Sequence, residues 1–233
     1  NKNLFTMNKR FTSFFDYDIL FSNFKKIKGE IQNLYELCNY WGQRFDLTQA
    51  GGGNISVKND ILMFIKSSGC KLTDVNIDNN YSVLHNSKLL CDILNSKKTD
   101  SSFNAYLMFN TSRPSIETYM HSILNKYVVH LHPISINNIL VRSNGKDIIK
   151  NLFPNSLFIP YTQPGIDLCN IIKKRENYKK YKVIFLQNHG VIYNSNNLEE
   201  INILIQQTND LCESYCKLKL DKYKLVNIIN FRI

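Results

Sequence analysis

A layered α/β domain is what this sequence predicts, and three observations predict it. Some segments place apolar residues at helical spacing, others are short apolar runs of strand length, and no block of the chain repeats. The 233 residues suit one sizeable domain with a complete core. With 43% apolar and 21% charged residues, nine Gly and five Pro, the composition excludes a collagen-like or disordered chain.

Residues 1–26 read as an N-terminal extension, which mixes Lys, Arg and Asp with scattered Phe and has no apolar core followed by a cleavage site. No secretion signal is expected there. From Ile27 to Phe45, apolar residues at Ile27, Ile31, Leu34, Leu37, Cys38 and Trp41 predict an amphipathic helix. After Gly51-Gly52-Gly53 come two strand-like runs, Ile55–Lys58 and Ile61–Ile65, joined by Asn59-Asp60, a dipeptide suited to a hairpin turn. Tyr81–Leu84 reads as a further strand. Ile116–Leu124 has helical spacing, Tyr127–Leu131 reads as a buried strand and Ile134–Val141 as a helix. Val183–Leu186 and Val191–Tyr193 are two more strands, and Leu198–Leu218 is a long helix with Ile201, Leu204, Ile205, Thr208, Leu211, Cys212 and Tyr215 along one side. The patterned segments run over residues 27–218, the span that the resemblance described below also covers, and residues 219–233 read as a tail.

The net charge of +10 invites a nucleic-acid partner. The lysines are spread along the chain, with pairs such as Lys97-Lys98 and Lys179-Lys180, and no aromatic cluster accompanies them, so they read as solvated faces that could also attract phosphorylated substrates. No run of eighteen apolar residues exists, and a membrane span is not expected. The six cysteines are scattered without a C-x-x-C pair, which fits a reducing cytoplasm. Cys212 and Cys216 stand one helical turn apart, but with no His nearby they read as small apolar residues.

Histidine is scarce, five in all, yet two of them form His130-Leu131-His132. On a strand, residues two apart point to the same face, so both rings can meet one ion. His189, between a predicted strand and Gly190, is a third candidate. Three neutral imidazoles leave a divalent ion its full charge and an open position, as catalytic zinc sites do. The same three residues would serve equally as core or surface histidines. Glu117 is a carboxylate that could exchange protons beside such a metal, or a helix-start residue favoured by the dipole. Gly51-Gly52-Gly53-Asn54 and Ser67-Ser68-Gly69 offer backbone N–H groups, an amide and hydroxyls to an anion, although each also reads as an ordinary turn.

Taken together, Gly-Gly-Asn-Ile-Ser-Val (52–57), Ser-Ser-Gly (67–69), Arg-Pro-Ser-Ile-Glu-Thr-x-x-His (113–121), Val-Val-His-Leu-His-Pro (128–133) and Gln-Asn-His-Gly-Val-Ile (187–192) resemble the class II aldolase/adducin family. Its members include L-fuculose-1-phosphate and L-rhamnulose-1-phosphate aldolases and L-ribulose-5-phosphate 4-epimerase. The resemblance implies a three-layer α/β/α sandwich with a mainly antiparallel central sheet, and a homotetramer with active sites at subunit interfaces. It implies Zn2+, or another divalent transition metal, on His130, His132 and His189, with Glu117 as the acid/base. It gives Asn54, Ser68, Gly69 and Ser115 to the phosphate of a sugar substrate, and His121 a supporting or packing role. The reaction implied is cleavage or formation of a C–C bond in a phosphorylated ketose, through a metal-stabilised enediolate, giving dihydroxyacetone phosphate and an aldehyde. A 4-epimerase, dehydratase or decarboxylase would use the same chemistry, and adducin-type relatives are non-catalytic assembly modules.

Two departures from the family pattern bear on that expectation. Ile116 stands where many family aldolases have a second Ser, which removes a phosphate donor and adds an apolar side chain. Between Ile134 and Ile159 the chain also lacks the Tyr that fuculose-phosphate aldolases supply from a neighbouring subunit to protonate the aldehyde oxygen. Tyr161, Tyr215 and Tyr223 lie further on, and the sequence assigns the role to none of them.

Overall fold

The structure, a computed structural model, describes residues 24–95, 103–109 and 112–226. Most of the expected N-terminal extension and the end of the tail therefore lie outside the described residues.

Helix α1 (Phe24–Gly42) buries the stripe read from the sequence, with Leu34 and Cys38 fully enclosed. It ends three residues before the expected Phe45. At Gly42 the chain passes so close to the next loop that an added Cβ would lie 2.6 Å from the Leu72 Cβ, and beyond it the N–H groups of Arg44 and Leu47 turn back onto Trp41 and Arg44.

Strands β1 (Asn54–Lys58) and β2 (Leu62–Lys66) form the expected hairpin. The Asn59 side-chain oxygen accepts from the N–H groups of Ile61 and Leu62, at 3.0 and 2.7 Å, the local bonding that suits Asn to a turn. Strand β3 (Tyr81–His85) follows as expected, and then helix α2 (Asn86–Leu94) and strand β4 (Leu107–Phe109), which the sequence pattern did not resolve. Helix α3 (Thr118–Ile123) starts two residues later than its apolar spacing suggests, because the Ser115 hydroxyl accepts the Glu117 N–H in a turn before it.

Strand β5 (Tyr127–Leu131) and helix α4 (Ile134–Leu140) match expectation. Helix α5 (Gly145–Leu152), strand β6 (Leu157–Ile159) and helix α6 (Ile166–Lys173) are additions. Strands β7 (Val183–Leu186) and β8 (Gly190–Ser195) and helix α7 (Leu198–Cys216) complete the order. No described helix is long and apolar enough to cross a membrane.

The eight strands form one sheet in the order β4-β3-β2-β1-β5-β8-β7-β6, antiparallel at every pairing except β6 with β7. Alternation along the strands divides the core. Ile55, Val57, Phe64, Val129, Leu131, Val191 and Tyr193 point to one face, where α1, α4, α5 and α7 cover them. Met63, Ile65, Val128, Ile184 and Ile192 point to the other, under α2, α3 and α6. The result is a helix–sheet–helix sandwich. His130 projects from β5 on the α3 side, with Val128.

One buried ion pair fixes the loop after α1. Arg44 and Asp46 bond through two N–H···O contacts of 2.7 Å, with both side chains at most 5% exposed. The Asp46 and Leu47 carbonyls in turn accept the N–H groups of Ile134 and His132. Removing one partner strands the other charge in the interior. Asp46→Ala should therefore lower unfolding stability by about 3–5 kcal/mol, measured by denaturant titration.

Candidate metal centre and active site

Strand pairing brings the three histidines together. In the β5–β8 register Leu131 lies opposite Val191 and His130 opposite Ile192, so the turn that precedes β8 is carried to the end of β5. That turn holds Asn188 in the left-handed region, φ 56°, a conformation Asn tolerates better than most residues. His189 then projects toward His130. Gly190 is required by close approach, since a Cβ there would sit 2.4 Å from the Leu131 carbonyl oxygen and 2.9 Å from the His132 ring. Gly52 serves the other side, where a Cβ would lie 3.0 Å from His132 Nδ1.

The His130 Nε2 stands 3.0 Å from the His132 Nε2 and 3.3 Å from the His189 Nε2. The Val191 carbonyl can only accept, so the His130 Nδ1 at 3.0 Å donates to it and leaves Nε2 as a lone pair facing the cluster. Glu117 Oε1 reaches the same point, 3.3 Å from His130 Nε2 and 3.4 Å from His189 Nε2, with no other hydrogen-bond donor among the described residues. Three imidazole nitrogens and a carboxylate oxygen thus converge on one point, as ligands do around a cation. The donor set and its spacing therefore fit a divalent metal ion, and His130, His132 and His189 could hold one.

Protonation follows burial. The His130 ring is pushed down to about 3 by desolvation and by His189 beside it. His132 also falls to about 3, from burial and then the neighbouring His130 and His189. Both are thus neutral ligands at ordinary pH. Burial raises the Glu117 carboxyl, against the pull of His189 and His132 and of a hydrogen bond from Asn54. A raised carboxyl is what a group that both takes and returns a proton needs.

Asn54 lies opposite His130 across the β1–β5 pairing, 3% exposed, with its Oδ1 unpartnered. The remaining residues sit on two stitched loops. Ser67 forms an isolated bridge with Pro114, and the Ser68 N–H donates to the Arg113 carbonyl at 2.8 Å. Ser68 and Gly69 are exposed at the tip of their turn, Gly69 with φ +83°, and Ser115 is half-buried beside Glu117. The structure thus joins Asn54 and Ser115 to the histidines and carries Ser68 and Gly69 on a turn tied to the same segment. His121 is fully buried one helical turn after Glu117, its Nδ1 2.7 Å from the Ser56 hydroxyl.

Sequence reasoning passed over Lys66, a strand-end lysine that the structure buries under the Ser67–Cys70 turn. It also missed the Arg44–Asp46 pair behind His132. Tyr161 is 60% exposed, its N–H bonded to the Gln187 side chain beside the His189 turn. A groove of about 460 Å3 between α1 and α7 lies on the opposite face of the sheet, and no histidine lines it.

Two outcomes are expected. Gly190→Ala should abolish metal uptake, measured by elemental analysis, because the added methyl group collides with the Leu131 carbonyl and pushes the His132 ring out of place. In metal-free protein, His130, His132 and the buried His121 take up protons only far below the usual imidazole range, whereas the unfolded chain protonates them near 6.5. The unfolded state then holds more protons below that pH. Stability is greatest above about pH 6.5 and falls as the pH drops toward 3, the raised Glu117 offsetting part of the loss. Thermal melts across that range should follow the trend, with a shallower slope in His132→Gln.

The family model described as the class II aldolase and adducin N-terminal domain matches residues 32–216. A curated relative, the uncharacterized oxidoreductase YuxG of Bacillus subtilis, is 28% identical over 179 residues, which is 70% of this chain and 26% of that protein. The chain thus spans about a quarter of the relative's length. Among solved structures, the N-terminal class II aldolase domain of a conserved Thermoplasma acidophilum protein superposes with TM-score 0.70 at 22% identity, covering 80% of this chain and 93% of that one. An L-fuculose 1-phosphate aldolase superposes with TM-score 0.57 at 17% identity, covering 85% and 89%. These likenesses carry the fold, and the family match covers most of the chain: it belongs to the class II aldolase and adducin N-terminal domain family.

Proposed function

We propose that this chain is the catalytic domain of a zinc-dependent aldolase that cleaves or forms a C–C bond in a phosphorylated ketose. The observation that carries the reading is the meeting of three imidazole nitrogens with the buried Glu117 carboxylate. A divalent ion held by His130, His132 and His189 supplies, when bound, a Lewis acid that polarises a carbonyl and offsets negative charge as it develops.

The chain's own residues do the rest. Glu117 takes the carbon-bound proton of the ketose fragment before the bond forms and returns it to the carbon that has lost its aldehyde after the bond breaks, while the oxygen of the aldehyde exchanges its proton with water. Asn54 bonds the carboxylate and holds it toward the reacting carbon. Ser68, Gly69, Ser115 and Asn54 take the phosphate, with Ile116 placing a 53% exposed apolar side chain where a further hydroxyl would have been a donor. Active sites at the interfaces of a homotetramer, and a cytoplasmic setting for the six free cysteines, belong to the same reading.

Epimerisation, dehydration or decarboxylation would begin from the same charged carbon and differ in the product. Elemental analysis of protein purified without added metal or chelator should give near-stoichiometric zinc, lost in His132→Ala. Ketose 1-phosphates and pentulose 5-phosphates should then release aldehyde, and Glu117→Gln should keep the metal while losing about 10²–10⁴ in turnover. An isomer without free aldehyde would point to epimerase chemistry. Protein that takes up no zinc even when it is offered would make the chain a non-catalytic assembly module.

A further inference from the structure

Lysines that are spread along the chain are gathered by the fold at one end of the sheet. There β1 ends, β5 begins and β8 ends together, Tyr127 lying opposite Val57 on one side and Ser195 on the other. β7 begins beside them, with Val183 opposite Tyr193. Lys58, Lys126 and Lys182 flank those strand ends. The clustered histidines stand at the other end, where His130 lies opposite Asn54 and Leu186 opposite Gly190.

Between α6 and β7 the chain adds Lys173-Lys174-Arg175 and Lys179-Lys180. This segment is pinned from inside. The fully buried Asn194 gives its amide to the carbonyls of Lys179 and Tyr181, at 3.4 and 3.2 Å, and the Asn125 amide donates to the Lys179 carbonyl at 3.0 Å. The Lys173 Nζ donates to the Ile93 carbonyl at 2.7 Å and so ties the segment to the end of α2. Lys174, Arg175, Lys179 and Lys180 stay exposed, and none forms an ion pair with a carboxylate among the described residues. The carboxylates of Asp60, Glu30 and Glu200 at this end are taken by Lys26, Lys126 and Lys182. Glu176 accepts from the Asn177 amide, and Glu199 stands in the first turn of α7. Lys58 feels the resulting field: burial drives its ammonium well below the usual lysine range, and the charge of Lys179 acts in the same direction.

Exposed cations held in place by buried amides and left without counter-charges suit an extended anionic partner. Two features favour a bilayer over a nucleic acid. Tyr178 and Tyr181 pack half-buried against the core instead of standing out for bases to stack on. Next to the Lys173 anchor, Leu94 ends α2 with 53% of its surface exposed, an apolar side chain among cations, as at a lipid interface.

We propose that this end of the sheet is a docking surface for an anionic phospholipid bilayer, with Lys174, Arg175, Lys179 and Lys180 against the headgroups and the histidine cluster turned to the water at the opposite end. Attachment is peripheral and electrostatic. Clusters of about four to eight Lys and Arg are drawn to acidic leaflets, each cation contributing about fivefold to partitioning. The inference goes beyond the aldolase reading and does not depend on it.

The test is co-sedimentation of the full chain with phosphatidylcholine vesicles, with and without about one-third phosphatidylserine. Binding should occur only where phosphatidylserine is present and should vanish as salt is raised to about 0.5 M. Lys179→Gln/Lys180→Gln should weaken partitioning about 25-fold, and Lys179→Arg/Lys180→Arg should hold it within about threefold. Lys217→Gln/Lys219→Gln, which removes two exposed cations beyond the far end of α7, should change it by less than about twofold. If Lys179→Gln/Lys180→Gln does not fold, Lys174→Gln/Arg175→Gln makes the same comparison.

No sedimentation with phosphatidylserine overturns the proposal. A loss in Lys217→Gln/Lys219→Gln equal to that in Lys179→Gln/Lys180→Gln also overturns it, because total charge is then the cause. Tighter binding to a single-stranded oligonucleotide than to the vesicles, lost in Lys179→Gln/Lys180→Gln, assigns the surface to nucleic acid and overturns it too. Metal content measured on the same proteins keeps the two readings apart. A chain that holds zinc but ignores vesicles loses the docking surface alone, and a chain without metal that binds them loses the aldolase reading alone.

Discussion

The pairing of β5 with β8 is the constraint on which the rest depends. His130 and His132 leave the end of one strand and His189 enters the other, so the register that sets Leu131 against Val191 decides whether three rings meet or pass one another. A slip by a single residue would turn His130 to the opposite face of the sheet. The register is held by burial on both faces, Val129, Leu131, Val191 and Tyr193 toward one helical layer and Val128 and Ile192 toward the other. Close packing at Gly190 and Gly52 then leaves the rings little room except against one another.

The polar side of β1 carries the cost of the site. Asn54, Ser56 and Lys58 alternate with Ile55 and Val57, and all five are buried. On the apolar side the strand is an ordinary core element. On the other it places an amide, a hydroxyl and an ammonium beneath α3, whose Thr118, His121 and Ser122 are also enclosed. Several of these atoms have no partner among the described residues, His121 Nε2, Thr118 Oγ1 and Ser122 Oγ among them. Unpaired buried polar atoms lower stability. They accumulate next to Glu117, beneath α3 on the side of the sheet that carries His130.

Much of this was legible in the sequence. The period of two that sends His130 and His132 to one face is a property of any strand, and the apolar stripe of α1 announced its buried side. Elements that escaped notice are short or flanked by breakers: β4 and β6 have three residues each, and β6 lies between Pro154 and Pro160. Helix α5 offers only Ile148, Ile149 and the half-buried Leu152 as inward apolar residues among Lys, Asp and Asn, too little pattern to read without the sheet it packs on. Lys66 was illegible for a deeper reason. A lysine at the end of a strand normally reaches water, and only the tertiary placement of the turn after it closes that route.

The strand order has a further meaning. β1 to β4, residues 54–109, make one half of the sheet, and β5 to β8, residues 127–195, make the other, with the single seam β1–β5 between them. His130, His132 and His189 lie in the second half and the Ser67–Cys70 turn in the first, and Asn54 faces His130 across the seam. Each half is continuous in the chain, so recombination within the segment between β4 and β5 could exchange the half that carries the Ser67–Cys70 turn while leaving the half that carries the three clustered histidines untouched. An architecture divided in this way can vary one half of its sheet while keeping the other.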